Sequence, residues 1–367
     1  MQARFALLYA LPLLLALSCT EEIIVVEATT EDPPAPPAPA YQELAVSQGH
    51  HRRYFNSILT DGGLYVEGEN LSLLVQATDQ IGRCEHTVPL TGAQALTEQL
   101  HATLWRDHIS IERVGLNVPR CFDQFSVQLP LDSIEPNILG PKNIDAYRSQ
   151  LLFSDKYLFY PYEVADDPRL HLAIIEVGIP SNVNANPEIL HIERIVLEIV
   201  TIDFRYNQYA VPGGIVLAST GEAGEEGTFR ISTSGAVTKV HDQQLFKVFS
   251  HGGKLYGVHH TGTYDLIAIV VTSTTGEEWT PYLRVPFDFL FYDFKELQDG
   301  ELVAYLNEHL LHIPYFGPDS VTTVRLNIQE IGTNPIMTVA SLDSTLYVGT
   351  LSGLFYRDLA EALGDGQ

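Results

Sequence analysis

The feature that most constrains this chain is a repeated local pattern: a tight turn of small or polar residues, then a short alternating apolar strand. It occurs as Asp61-Gly62-Gly63-Leu64-Tyr65-Val66, Ser154-Asp155-Lys156-Tyr157-Leu158-Phe159 and Pro212-Gly213-Gly214-Ile215-Val216-Leu217. It returns as His251-Gly252-Gly253-Lys254-Leu255-Tyr256, Gln298-Asp299-Gly300-Glu301-Leu302-Val303 and Leu342-Asp343-Ser344-Thr345-Leu346-Tyr347. With Leu64, Leu158, Ile215, Leu255, Leu302 and Leu346 as anchors, the spacings are 94, 57, 40, 47 and 44 residues. A weaker copy near His108-Ile109-Ser110-Ile111 splits the first interval. Seven copies of about 45 residues, each with several strands, have the period of a β-propeller. A four-stranded sheet cannot bury both faces alone, so such blades stack around an axis and close into a ring. Six or eight blades, or a β-sandwich followed by a second β domain, are the competing arrangements.

Further strands follow the repeat at 71–75, 170–177, 265–272 and 354–357. The chain ends soon after two strands of the last copy. This predicts ring closure by a segment within 41–59 that completes the final blade and hides sheet edges. One stretch departs from the strand rhythm. In 91–107, Leu96, Leu100 and Leu104 recur at i, i+4 and i+8, which predicts a helical insertion. Residues 143–152 and 288–297 read as short helical turns.

The amino terminus reads as an address. Arg4 precedes a 13-residue apolar run from Phe5 to Leu17, too short to span a bilayer and interrupted by Pro12. The run ends in Leu15-Ala16-Leu17-Ser18-Cys19, which resembles a bacterial lipobox. That resemblance implies a signal peptide over 1–18, cleavage before Cys19 and acylation of Cys19. An ordinary secretory signal is the alternative. Cys19-Thr20-Glu21-Glu22 resembles the acidic export signal of surface lipoproteins in Bacteroidetes-type bacteria, against a periplasm-facing outer-membrane anchor. Residues 19–40 then form a tether, with acids followed by Pro33, Pro34, Pro36, Pro37 and Pro39 interleaved with alanine, a composition that favours extended polyproline II. The domain is expected over 41–367. In an oxidising compartment Cys84 and Cys121 are expected to pair, two buried thiols being the alternative.

Charge narrows the partners. Lys and Arg number 21 against 46 Asp and Glu, a net charge of −25. Phosphate-backbone binding needs basic patches, so nucleic acid is excluded as a partner. Anionic headgroups are repelled as well, which leaves the lipid anchor as the membrane contact. The hydrophobic share of 45% is nonetheless enough to bury a core.

Thr272-Ser273-Thr274-Thr275-Gly276-Glu277-Glu278-Trp279 resembles the Asp-box turn, S/T-x-D-x-G-x-T-W, of sialidase-type propellers. Thr272, Gly276 and Trp279 fit; Thr274 and Glu278 depart from it. Leu346-Tyr347-Val348-Gly349-Thr350, followed by Gly353-Leu354-Phe355, is similar to a blade opening of such propellers. The resemblance implies the fold, with the turn joining a blade's third and fourth strands and its tryptophan packed between blades. It carries no activity, because the Asp-box is a structural turn.

Chemistry-bearing motifs are few. A sialidase needs three converging arginines and a tyrosine nucleophile; Leu283-Arg284-Val285-Pro286 is the nearest arginine segment. No metal motif and no cofactor motif is present. Tyr256, His259 and His260, on one central repeat, are the candidate binding residues. The expected function is non-catalytic binding of a protein or glycan through one ring face. A sialidase-like glycan-processing enzyme and an accessory scaffold of an outer-membrane complex are the alternatives.

Overall fold

The computed structural model describes residues 26–27, 41–44, 54–60, 63–68, 71–77, 80–85, 94–114, 126–139, 151–182, 185–200, 205–220, 227–261 and 266–364. Cys19, Cys121, the signal segment 1–18 and most of the tether lie outside them, as does the side chain of Cys84. The described strands form seven sheets, antiparallel but for one added edge strand. The first blade is Tyr54–Thr60, Gly63–Gly68, Leu71–Ala77 and Gln80–Glu85. The second is Gln94–Leu96, Leu100–Leu104, His108–Arg113 and Ser126–Pro130. The third holds Leu152–Ser154, Tyr157–Val164, Asp167–Gly178 and Glu188–Val200, with Ile138–Leu139 added beside its second strand. The fourth and fifth run from Arg205 to His241 and from Lys247 to Pro286, four strands each. The sixth is Asp293–Glu296, Leu302–Leu306, His309–Phe316 and Val321–Arg325.

The seventh blade is shared between the chain ends. Ile336–Leu342, Thr345–Thr350 and Leu354–Asp358 supply three strands, and Gln42–Glu43 pairs antiparallel with Phe355 and Tyr356 as the fourth. Closure therefore uses the start of the expected 41–59 segment, while Tyr54–Thr60 becomes the innermost strand of the first blade. Ser57 and Thr338 hydroxyls meet at 2.6 Å across that joint. Val26–Glu27 adds in parallel to the outer edge of the sixth blade.

The sequence repeat marks the second strand of each blade, and its turn is the hairpin from the first strand. Gly63 shows why the turn composition matters. Its φ is +128°, and a Cβ there would lie 2.4 Å from the Val75 carbonyl oxygen. Side chains then alternate between the two neighbouring seams.

Three sequence expectations are corrected. The described part of 91–107, residues 94–107, forms no helix; Gln94–Leu96 and Leu100–Leu104 are the first two strands of the second blade. Leu100, Ala102 and Leu104 face one seam and His101 and Thr103 the other, all buried, so the i, i+4 leucine spacing coincides with a strand buried on both faces. The second-blade copy of the repeat is accordingly Leu100–Leu104, and His108–Arg113 is that blade's third strand. Of the short helical turns expected, Phe287–Leu290 is a 3-10 turn, whereas Asp293–Glu296 is a strand; most of 143–152 lies outside the described residues.

Six apolar clusters fill six of the seven seams. They lie between blades two and three, three and four, four and five, five and six, six and seven, and seven and one. The seam between blades one and two is built differently. Glu67 of the first blade meets His101 of the second there, and Tyr65, Ser72, Thr103 and Ser110 on the two blades are buried as well.

Candidate functional site: the axial cavity

The innermost strands surround a central cavity of about 690 Å³. Every blade contributes to its wall: Ser57, Glu98, Leu152, Gln208, Ser250, Lys295 and Ser341 come from the first to the seventh in order. Glu98, Gln298 and Gly300 lie in hairpins between first and second strands, so the cavity reaches the ring face that carries those turns.

Most polar groups of the wall hold neighbouring blades together. The Gln298 N–H donates to Ser341 Oγ (2.7 Å), and the Asp343 N–H donates to Gln298 Oε1 (2.9 Å). The Gly252 N–H donates to Glu296 Oε1 (3.0 Å). Ser154 Oγ donates to the Val211 carbonyl (2.9 Å) and accepts from the Gly214 N–H (3.2 Å). The Tyr209 hydroxyl donates to the Phe246 carbonyl. These bonds tie the third blade to the fourth, the fourth to the fifth and so on to the seventh, which makes the wall rigid. Among the described residues three lining side chains are left without such a bond or ion pair: Lys295, Glu98 and Ser250. Burial pushes the Lys295 ammonium below its ordinary pKa.

The residues singled out in the sequence lie elsewhere. Tyr256 is 5% exposed and sits in the fifth-to-sixth seam, 5.1 Å from the Tyr282 ring and 5.0 Å from Phe316. Tyr65 and Tyr347, at the equivalent strand position, are buried in the same way. His259 is buried against His241 of the fourth blade, ring centroids 5.0 Å apart, and its Nδ1 bonds the His260 carbonyl at 3.0 Å. Burial lowers its pKa. His260 packs edge-on against Phe287 at 5.0 Å. Arg284 is exposed on the outermost strand of the fifth blade, away from the axis. Among the described residues no three His, Cys, Asp or Glu side chains converge to hold a metal.

Thr272 is near the end of the fifth blade's third strand, and Gly276 and Trp279 lie in the connection to its fourth. Thr272 Oγ1 donates to the Leu255 carbonyl at 3.1 Å. Ser273 Oγ accepts from the Gly276 N–H at 2.9 Å, and Gly276 takes φ +79°. Trp279 Nε1 donates back to the Gly276 carbonyl at 3.2 Å, while its ring packs with Val216 of the fourth blade and Leu245 in the link to the fifth. The arrangement shapes a turn and fills a seam.

Lys295, Glu98 and Ser250 carried no local signal. Each is an isolated polar residue, and ring closure alone brings the three to one cavity.

No family model matches the chain, and no curated protein matches it. Its similarity is to solved structures. A virginiamycin B lyase from Staphylococcus aureus, determined with quinupristin, aligns with a TM-score of 0.52 at 11% identity, covering 86% of this chain and 97% of that one. A streptogramin B lyase structure aligns with a TM-score of 0.51 at 10% identity, covering 86% and 95%. At such identities the likeness concerns the fold alone. With the sheet order and the closing strand it establishes the architecture: the chain is a seven-bladed β-propeller.

Proposed function

We propose that the chain is a lipid-anchored protein of the bacterial outer membrane, exposed at the cell surface, whose propeller binds a protein or glycan ligand at the axial cavity without transforming it. One observation carries this reading. The cavity draws on all seven blades, and hydrogen bonds between blades already use most of its polar side chains. The wall is therefore pre-organised to receive a ligand, which lowers the ordering cost of binding. Cys19 supplies the anchor; since Val26–Glu27 pairs with the sixth blade, the residues between Cys19 and that strand set the reach.

The test is a screen of the full chain against glycans and envelope proteins, run beside chromogenic glycosides. Ser250→Trp, which fills the cavity from an exposed position, is expected to abolish binding while the wild type releases no chromophore. Turnover that disappears in Glu98→Gln or Glu296→Gln overturns the binding reading. Incorporation of labelled fatty acid, lost in Cys19→Ala, and protease accessibility on whole cells test the anchor and the exposure separately.

A further inference from the structure

The charges left free in the cavity define the chemistry of its ligand, on the footing of the binding role proposed above. Lys295 and Glu98 line the cavity without a hydrogen bond or ion pair among the described residues, whereas Glu296 is engaged by the Gly252 N–H and lies 3.6 Å from His251 Nδ1. They belong to the sixth and second blades, which stand on opposite sides of a seven-membered ring. Among the described residues the free charges of the wall are thus one cation and one anion, on blades across the ring from each other.

The rim adds a filter. Asp155, Asp299 and Asp343 occupy first-to-second-strand hairpins on the face the cavity reaches. Lys156 is neutralised by Glu176 at 2.6 Å, which leaves Lys254, the first residue of the fifth blade's second strand, as the free lysine beside these hairpins among the described residues. A simple anion meets this acidic rim on a chain of net charge −25. A simple cation crosses it and then meets Lys295. A molecule that carries both charges satisfies rim and wall together, and its anion restores the charge on an ammonium that burial disfavours. The volume of about 690 Å³ suits a small molecule and not a folded domain.

We infer that the axial cavity takes a small zwitterion, chemically a short peptide with both termini free, its carboxylate on Lys295 and its ammonium on Glu98. At roughly 3.5 Å per extended residue, a chain of about two to five residues spans such a site.

Titration calorimetry on the full chain tests this with an alanine peptide series of those lengths, each peptide also supplied N-acetylated and C-amidated. Free peptides are expected to bind, and either block to weaken binding roughly tenfold or more. In Lys295→Met the C-terminal block no longer matters; in Glu98→Gln the N-terminal block no longer matters. Both variants keep the wild-type melting temperature, since neither side chain bonds the protein. Binding at high pH takes up protons, for the peptide's own ammonium and for Lys295, and fewer in Lys295→Met than in the wild type, read from two buffers of different ionisation enthalpy. Blocked peptides that bind as well as free ones overturn the inference, as does a series in which no peptide binds. If a glycan or envelope protein then binds in a manner Ser250→Trp abolishes, the binding role stands and the zwitterion falls.

Discussion

Two seams of the ring solve the same packing problem in opposite ways. Between blades five and six, Phe249 stacks on Phe294 at 4.3 Å, and Tyr256, Tyr282 and Phe316 close around them with centroid distances from 5.0 to 5.7 Å. Between blades one and two the buried contact is ionic. His101 Nε2 lies 2.5 Å from Glu67 Oε1, and its Nδ1 lies 3.8 Å from Glu112 Oε2, whose other oxygen accepts from Ser110 Oγ at 3.1 Å. The aromatic seam is redundant, because each ring has several neighbours and loses only a share of its contacts when one is trimmed. The ionic seam is strict. Its groups are out of water, so each depends on the other, and the low local polarity that strengthens the pair also penalises a broken one.

The largest expected effect follows from that strictness. Glu67→Ala removes the nearest partner of an imidazole that is 1% exposed, and should destabilise the protein by about 3–5 kcal/mol in chemical denaturation. A loss below about 1 kcal/mol would show that the seam relaxes or hydrates, and the contrast with the aromatic seam would collapse. Replacing Glu67 and His101 together by leucine sharpens the point: it removes the uncompensated charge and should recover much of the loss.

The second effect is a pH dependence confined to the ionic seam. Burial disfavours the charged imidazole of His101, but the Glu67 carboxylate, with Glu112 behind it, outweighs burial and raises the pKa to about 9. The folded value exceeds the ordinary 6.5, so the stabilisation is complete below pH 6.5 and is lost as pH rises through about 9. The swing is of the order of 3 kcal/mol. It is measured as the wild-type stability minus that of His101→Leu across this window, which cancels the titration of distant groups. A difference that stays flat across the window contradicts the charged pair.

The same contrast explains what could be read before folding. The apolar seams announce themselves, because Leu64, Leu158, Ile215, Leu255, Leu302 and Leu346 recur in the second strand of their blades at the alternation a two-layer contact imposes. The second blade broke the pattern. His101 and Thr103 look like a solvent face, so Leu96, Leu100 and Leu104 read as the stripe of a helix, whereas in the fold both polar residues are buried and His101 lies against Glu67 of the first blade. Helix propensity in that segment was overridden by tertiary pairing, as a weak prior is. The cavity was less legible still. Tyr256, His259 and His260 share one strand and could be grouped by reading along the chain, whereas Lys295, Glu98 and Ser250 are separated by whole blades and are joined only by ring closure.

The smallest expected effect closes the comparison from the aromatic side. Phe249→Leu keeps an apolar side chain in the fifth-to-sixth seam and gives up the offset stack on Phe294, with Tyr256 and Phe316 still in place to cover the site. The cost should be about 1 kcal/mol, the worth of one stacked pair beyond its buried area. It should also be the same near pH 7 and near pH 9. Burial, followed by the neighbouring Tyr256, pushes the Tyr282 hydroxyl up to about 12, so that phenol stays neutral throughout the window. Equilibrium unfolding at both pH values checks the pair of statements. A loss that grows with pH would place a titrating group inside the aromatic seam, and a loss above about 3 kcal/mol would mean that its rings do not share the load.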